Sequence, residues 1–321
     1  MSDTNTVARR LEVRDAHENA LDVLSDAFVV HHRNLLDNPA ETLHSVERAR
    51  DLRRMVAVDD VGTGPESLTL LPLIEPDIIV LAPELARRDP DTAAARTVHV
   101  VAAQAERTGA LIVARGVDSE DDRARALALG ATFGVGEMYS NWQPSVGAMH
   151  DAHVPPTWNT PTSKSTSPFD IAADGRIVTP SSKKLLVAMS TQIEWQAASA
   201  GADTMTLGTF QHARRFGHRT RRRWNTMARR IAYTGVYGIA MDTLSDPGIT
   251  HFALDPADPL VEEWNVVVLG QFFCCVLSAR EVRRVDDKDD ERDRLFEYVV
   301  SHDRATVVRC ARAILSRAGK G

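Results

Sequence analysis

The chain has 321 residues, 43% of them hydrophobic and 26% charged, with three cysteines and a net charge of −6. This composition excludes a wholly disordered chain, and no apolar run approaches the roughly 20 residues needed to cross a bilayer. The charge is uneven: residues 1–140 hold 15 arginines against 24 carboxylates, and the remainder holds 23 basic against 20 acidic residues. That balance fits two units that attract each other and does not fit a protein that coats nucleic acid. The N-terminal stretch MSDTNTVARRLEVRDAHENA has no apolar core of a secretory signal, so the expected location is cytoplasmic. Cys274 and Cys275 are adjacent in FFCCVL and Cys310 stands alone. An odd, clustered set argues against a disulfide framework and offers no zinc spacing. The three are read as small buried hydrophobes.

In chain order, AFVVH (27–31) is a short apolar run, followed by an amphipathic segment over 40–54. MVAVDD (55–60), a glycine turn and a short helix near 66–74 come next. DIIVL (77–81), a helix over about 92–107, LIVA (111–114), a helix near 119–128 and ATFGVG (131–136) complete the series. Ser119 with Asp122 reads as a capping pair. Runs of β-branched residues alternating with helices predict about five parallel strands buried on both faces. A closed eight-stranded β/α barrel needs about 250 residues, so this unit is either an open sheet or a barrel without its opening strands.

The stretch 141–182, with six prolines and many serines and threonines, reads as a linker. Its aromatic residues Trp142, Trp158 and Phe169 argue against a free tether. Beyond it, 185–199 predicts a helix, 204–210 a strand and 211–230 a helical stretch. Strands are expected over 231–240, 250–254, 264–270 and 272–279, and one or two helices over 290–315, with Asp303 near the start of the last helix. The division is therefore 1–140, a linker at 141–182, and a second domain at 183–321. The fold class is α/β: an incomplete TIM-barrel-like β/α unit followed by a second α/β domain with a mixed sheet.

VAVDDVGTGPESL (56–68) is the most informative segment. Asp59 and Asp60 end a buried strand, where β/α folds carry their chemistry. Such a pair either binds a divalent cation or caps the turn and the next helix. The residues of 55–140 resemble the second half of an EAL domain, the cyclic-di-GMP phosphodiesterase barrel. MVAVDDVGTGPESLTLL resembles that family's DDFGTG signature, EPDIIVLAPELAR the following strand, and TGALIVARGVDSEDDRARALALGATFGVGEMYS the AEGVET-containing end.

The resemblance implies a two-metal hydrolysis with carboxylate ligands, and the departures from it bear on that activity. No Glu-Ala-Leu triplet occurs among the 58 residues before Asp59. His31 and His32 stand where a further acidic ligand is expected. Val80 stands at the catalytic lysine position and Ala82 at the nearby aspartate. Arg115 replaces the first glutamate of AEGVET, and Asp118 replaces the second. A guanidinium at a ligand position opposes cation binding and is placed to pair with Asp59 or Asp60. At most one of two adjacent strand histidines reaches the turn. The residual site is therefore Asp59, Asp60, Arg115 and Asp118, with no catalytic residue, no bound metal and no cofactor expected. Missing strands would expose sheet edges, so a homo-oligomer or a tight interdomain contact is expected to cover them.

HARRFGHRTRRRWNTMARR (212–230) has eight arginines and no acid. In isolation this suggests phosphate contact with nucleic acid; the alternative is a solvated helix facing an acidic partner. Residues 184–316 resemble a DICT domain, a sensory module found with diguanylate cyclases and two-component systems. MSTQIE (189–194), GTFQHARRF (208–216), TRRRW (220–224), DPLVEEWNVVVLG (258–270), FFCCVLSARE (272–281) and FEYVVSHDRATVVRCARAIL (296–315) carry the resemblance. The arginines then belong to a family pattern outside DNA-binding folds, which argues against nucleic acid. Gln211, His212, Arg215 and Trp264 are the candidate ligand positions. The contiguous Ser301-His302-Asp303 does not make a triad, whose members must converge in space. The expected function is non-catalytic signalling, in which a DICT-like sensor for a small-molecule or protein partner is joined to a degenerate EAL-like module. The alternatives are a cyclic-di-GMP phosphodiesterase completed by assembly, a cyclic-di-GMP-binding effector, and a nucleic-acid-associated regulator.

Overall fold

Five strands rich in β-branched residues build the first sheet: β1 (Phe28–His31), β2 (Val56–Val61), β3 (Ile78–Leu81), β4 (Leu111–Arg115) and β5 (Phe133–Val135). All neighbours are parallel and the spatial order follows the chain, β1-β2-β3-β4-β5. A doubly wound sheet reverses its order part-way; this one does not. Parallel crossovers are right-handed as a rule, so a sequential order keeps the helices on one side, as in an arc of a β/α barrel. The computed structural model describes residues 27–87, 91–139, 166–282 and 295–318.

The connecting helices are α1 (His32–Asp37), α2 (Pro39–Asp51), α3 (Pro65–Ile74), α4 (Pro83–Arg87), α5 (Thr92–Thr108) and α6 (Glu120–Ala128). Val56, Val58, Ile79, Leu81, Ile112 and Ala114 belong to the large core beneath these helices. The alternate residues Ala57, Ile78, Val80 and Val113 form a separate buried cluster on the other face. The helix ends are chemically marked. The Asp91 carboxylate accepts from the Ala94 N–H at 2.8 Å to start α5, and Gly109, with φ of 72°, ends it. At α6 the Ser119 hydroxyl accepts from the Asp122 N–H at 3.2 Å and donates to the Asp122 carboxylate at 2.7 Å. The capping pair expected from the sequence is therefore formed.

The second sheet has seven strands: β6 (Thr179–Ser182), β7 (Met205–His212), β8 (Tyr233–Ile239), β9 (Thr250–Ala253), β10 (Glu263–Leu269), β11 (Cys274–Glu281) and β12 (Leu295–Ser301). Their order is β6-β12-β11-β10-β7-β8-β9. Pairing is parallel from β7 to β9 and antiparallel elsewhere, so the sheet is mixed as expected. Helices α7 (Pro168–Ala173) and α10 (Arg304–Leu315) cover one face, and α8 (Lys183–Ser199) and α9 (His218–Ala228) cover the other. Cys274, Cys275 and Cys310 are free and buried within this domain. Burial pushes the Cys275 and Cys310 thiols up to about 12, consistent with inert packing roles.

Three local readings change. The stretch 290–315 was expected to be helical, but Leu295–Ser301 is β12, antiparallel to β11. Phe296, Val299 and Ser301 are buried there among less buried neighbours, and the tertiary pairing with β11 decides the state. The helix expected over 211–230 begins only at His218, because β7 runs on to His212 and a short 3₁₀ turn, Ala213–Arg215, follows. The linker reading of 141–182 ends in ordered elements, α7 and β6. Phe169 is buried, whereas Trp142 and Trp158 lie outside the described residues.

Buried charge ties the second domain together. The fully buried Glu263 accepts from the Phe169 N–H at 3.2 Å, the Asn265 amide at 3.1 Å and Arg280 at 3.0 Å. Arg280 also lies over the Phe169 ring at 4.5 Å and pairs with Asp170 at 3.0 Å. On the opposite face, buried Glu194 of α8 accepts from the Trp224 indole at 3.0 Å and from Arg223 at 2.7 Å, which binds α8 to α9. Trp224 lies directly over Gly208, where a Cβ would stand 2.5 Å from the indole ring. Gly208→Ala is expected to cost about 1–3 kcal/mol through forced repacking, read as a lower urea midpoint at unchanged slope.

The two halves meet where α10 packs against α2 and α3. Arg312 of α10 donates to the Leu73 carbonyl at 2.9 and 2.6 Å and to the Ile74 carbonyl at 3.3 Å, and pairs with Glu75 at 3.6 Å. Arg50 of α2 donates to the carbonyls of Ile74 and Glu75. Two guanidiniums thus satisfy the free carbonyls at the C-terminus of α3, the negative end of its dipole. Burial, with Arg312 adjacent, pushes Arg50 down to about 9. Arg312→Met keeps the apolar stem but takes the donor from the Leu73 carbonyl and the ion-pair partner from Glu75, while Arg50 still holds the Ile74 carbonyl. It is expected to cost the full chain about 2 kcal/mol in urea denaturation.

Candidate functional site

The acidic turn sits at the C-terminal end of β2. Asp59 is in register with His31 of β1. Asp60 has a φ of 56°, a left-handed conformation that aspartate tolerates better than most residues, and the pairing with β3 shifts between Val58 and Val61. The Asp60 N–H bonds to the Asp59 carboxylate at 2.8 Å. Gly62, with φ of 99°, donates its N–H to the Ser67 hydroxyl at 2.9 Å. A Cβ on Gly62 would lie 2.3 Å from Leu85, so the turn requires glycine on both conformational and steric grounds. Helix α3 begins three residues later.

Arg115 ends β4, and its Nη1 lies 2.9 Å from each carboxylate oxygen of Asp59 and 3.5 Å from Asp60. His31 Nδ1 is 3.8 Å from Asp60 Oδ2. One ligand atom each from His31, Asp59 and Asp60 falls within a 4.8 Å cluster. The donor set of this corner is thus one imidazole and two carboxylates, with a guanidinium already bonded to the carboxylates. His32 is the first residue of α1 rather than part of the strand. Val80 and Ala82, at the positions of the family's lysine and aspartate, are buried apolar side chains.

Asp118 bonds elsewhere. It is the ion-pair partner of Arg87 and accepts from the Glu137 N–H at 2.9 Å. Those bonds hold its carboxyl below the ordinary range. Arg87 carries no sequence signal for this role; only the packing of α4 beside the loop after β4 reveals it.

In the second domain, Gln211, His212 and Arg215 gather at the end of β7. Gln211 has a φ of 58° at a register shift between Thr209 and His212. The His212 Nδ1 accepts from the Arg214 N–H at 3.2 Å, and Arg215 ends the 3₁₀ turn. Trp264 lies on the neighbouring strand β10 and packs edge-on to Phe296, with centroids 6.1 Å apart, in the apolar layer beneath α8 and α9.

The basic stretch is partly spent on internal pairs. Arg221 bonds Asp246 through Nε at 3.0 Å and Nη2 at 3.0 Å, and Arg223 pairs with Glu194. Asp246 also accepts from Asn225 at 2.8 Å and contacts His251 at 3.1 Å. Burial opposes ionisation of Asp246, but the bonds from Asn225 and Arg221 prevail and hold it below the ordinary range. Burial depresses His251 despite the adjacent carboxylate. A depressed histidine binds its proton less readily when folded, so its contribution is present above the unfolded value of about 6.5 and is lost as pH falls through the folded value. The parent chain is expected to lose more stability than His251→Gln as pH falls below about 6.5, measured by urea denaturation at each pH.

Comparison with known families finds a match in each half of the chain. A model described as the EAL domain matches residues 12–141, and one described as the sensory domain in diguanylate cyclases and two-component systems, DICT, matches residues 176–282. No curated protein is significantly similar to the chain. The EAL match is short, consistent with truncation, and EAL domains are TIM-barrel-like, as is the sequential parallel sheet. Among the described residues, no helix is long and apolar enough to cross a membrane. The chain carries an EAL domain followed by a DICT sensory domain, the combination of a cyclic-di-GMP signalling protein.

Proposed function

We propose that this protein is a non-catalytic signalling regulator, in which the DICT domain senses a signal and the EAL-like half serves as the output or interaction module. The reading rests on the Arg115 guanidinium 2.9 Å from both oxygens of Asp59. Two-metal hydrolysis needs an excess of anionic ligands to hold a pair of cations. Here one cation of the protein's own already occupies Asp59 and offsets half the charge of the two carboxylates, and Val80 and Ala82 supply no donor. This donor set does not fit two divalent ions, so no hydrolytic step is assigned to it.

Helix α3 is the proposed route between the halves. It begins just after the acidic turn, where Ser67 holds the Gly62 N–H, and ends under Arg312 of α10. A shift of α10 in the sensory domain would therefore be felt at the turn through one rigid element. The tight contact between halves is part of this proposal, as is a location in the cytoplasm.

A second reading, a phosphodiesterase completed by assembly or a cyclic-di-GMP-binding effector, is favoured by the clustering of donor atoms from His31, Asp59 and Asp60. The nucleic-acid reading is weakened because Arg221 and Arg223 are engaged with Asp246 and Glu194. Full-length protein incubated with cyclic-di-GMP and Mg²⁺ or Mn²⁺ is expected to yield no linear dinucleotide by chromatography, with Asp59→Asn indistinguishable from the parent. Turnover that Asp59→Asn abolishes would establish the enzyme instead.

A further inference from the structure

We propose that the DICT domain binds a small organic phosphate in the cleft between the 213–217 turn, the first turns of α9 and the 244–246 loop. The cleft has a volume of about 500 Å³, within the range of small-molecule sites. The proposal deepens the sensory reading of this domain by naming a ligand class. Its test is direct binding, which succeeds or fails whatever the EAL-like half does.

Charge selects the class of ligand. Arg214, Arg221 and Arg222 line the cleft against one carboxylate, Asp246. Asp246 is held by Arg221, Asn225 and His251, so its charge is already answered within the protein. Arg214 and Arg222 are exposed, and neither pairs with an acid among the described residues. Two guanidiniums are thus left over at one concave surface, and guanidinium geometry matches phosphate oxygens.

The backbone adds to the same field. Helix α9 has eleven residues, its N-cap is Gly217 with no capping side chain, and its first turn carries no acid. Its leading N–H groups, at the positive end of the helix dipole, border the cleft with Arg214 and Arg222. A Cβ at Gly217 would meet nothing within 4 Å, so the approach to these groups is open. Arg221 and Asn225 are fixed by Asp246 and form a rigid wall. Leu244 supplies apolar surface beside the charged head, and Phe216, which also borders the cleft, is itself buried. An oxyanion on a compact apolar body fits both parts. Against a nucleic-acid strand, the chain as a whole is negatively charged.

The test is calorimetric titration of the full chain with phenyl phosphate, inorganic phosphate, benzoate and phenol. Phenyl phosphate is expected to bind most tightly and phenol not at all. Arg214→Gln with Arg222→Gln is expected to weaken phenyl phosphate at least about tenfold with unchanged circular dichroism, because both side chains are exposed. Gly217→Asp places a carboxylate in open space at the N-cap. It is expected to preserve or raise the melting temperature while abolishing binding. Absence of phenyl phosphate binding up to about 10 mM, or equal affinity in the double variant, refutes the site. Tighter binding of benzoate refutes the phosphate assignment, and displacement of phenyl phosphate by random duplex DNA refutes a small-molecule role.

Discussion

The C-terminal carbonyls of α3 are the constraint through which the two halves of this molecule meet. A helix end leaves its last carbonyls without internal partners. Here they are buried under another domain, where water is not the answer. Arg312 from α10 and Arg50 from α2 both donate into that end. Two like charges at one point repel and resist burial, which is why Arg50 is pushed down to about 9. The arrangement holds because the carbonyls, the helix dipole and Glu75 together supply the opposing charge. Both halves contribute to one continuous apolar core around it, with Leu73 and Ile74 from the first and Ile314 and Leu315 from the second.

Inside the second domain the same rule recurs. Glu194, Asp246 and Glu263 are carboxylates that a protein interior does not accept alone. Each has a guanidinium: Arg223, Arg221 and Arg280. Each pair also draws in a neutral donor, the Trp224 indole, the Asn225 amide or the Asn265 amide. These contacts join helices and loops from distant parts of the chain, so part of the arginine-rich segment, Arg221 and Arg223, serves as internal fasteners, while Arg214 and Arg222 face one cleft. Isolated buried pairs add little net stability, but removing one partner leaves an uncompensated charge.

The acidic turn in the first half obeys the same electrostatics with a different outcome. Its strand end, its positive-φ aspartate and its glycine turn make a corner of two carboxylates. Arg115 enters that corner from β4, and His31 borders it from β1. The corner lies at one end of α3 and the Arg312 contact at the other. Whatever the sensory domain does to α10 therefore bears on one helix that reaches both.

Much of this was legible from residue order alone. VAV, IIV and LIV have the β-branched continuity of strands buried on both faces, and Ser119 with Asp122 marked a helix start. The DD-x-G-T-G spacing located the acidic turn, since a strand end followed by glycine has few other conformations. The identity of Arg115 predicted a cation near Asp59, but the pairing spans 56 residues and depends on β4 lying two strands away in a sheet whose order no local pattern specifies. Leu295–Ser301 read as helix because its charged surroundings mimic one; the ladders with β11 and β6 make it a strand. Arg312 reaches Leu73 across 239 residues. Sequence determined which segments carry helix, strand and charge, because those properties are local and periodic. Tertiary structure decided which charges meet, because that depends on how whole elements pack.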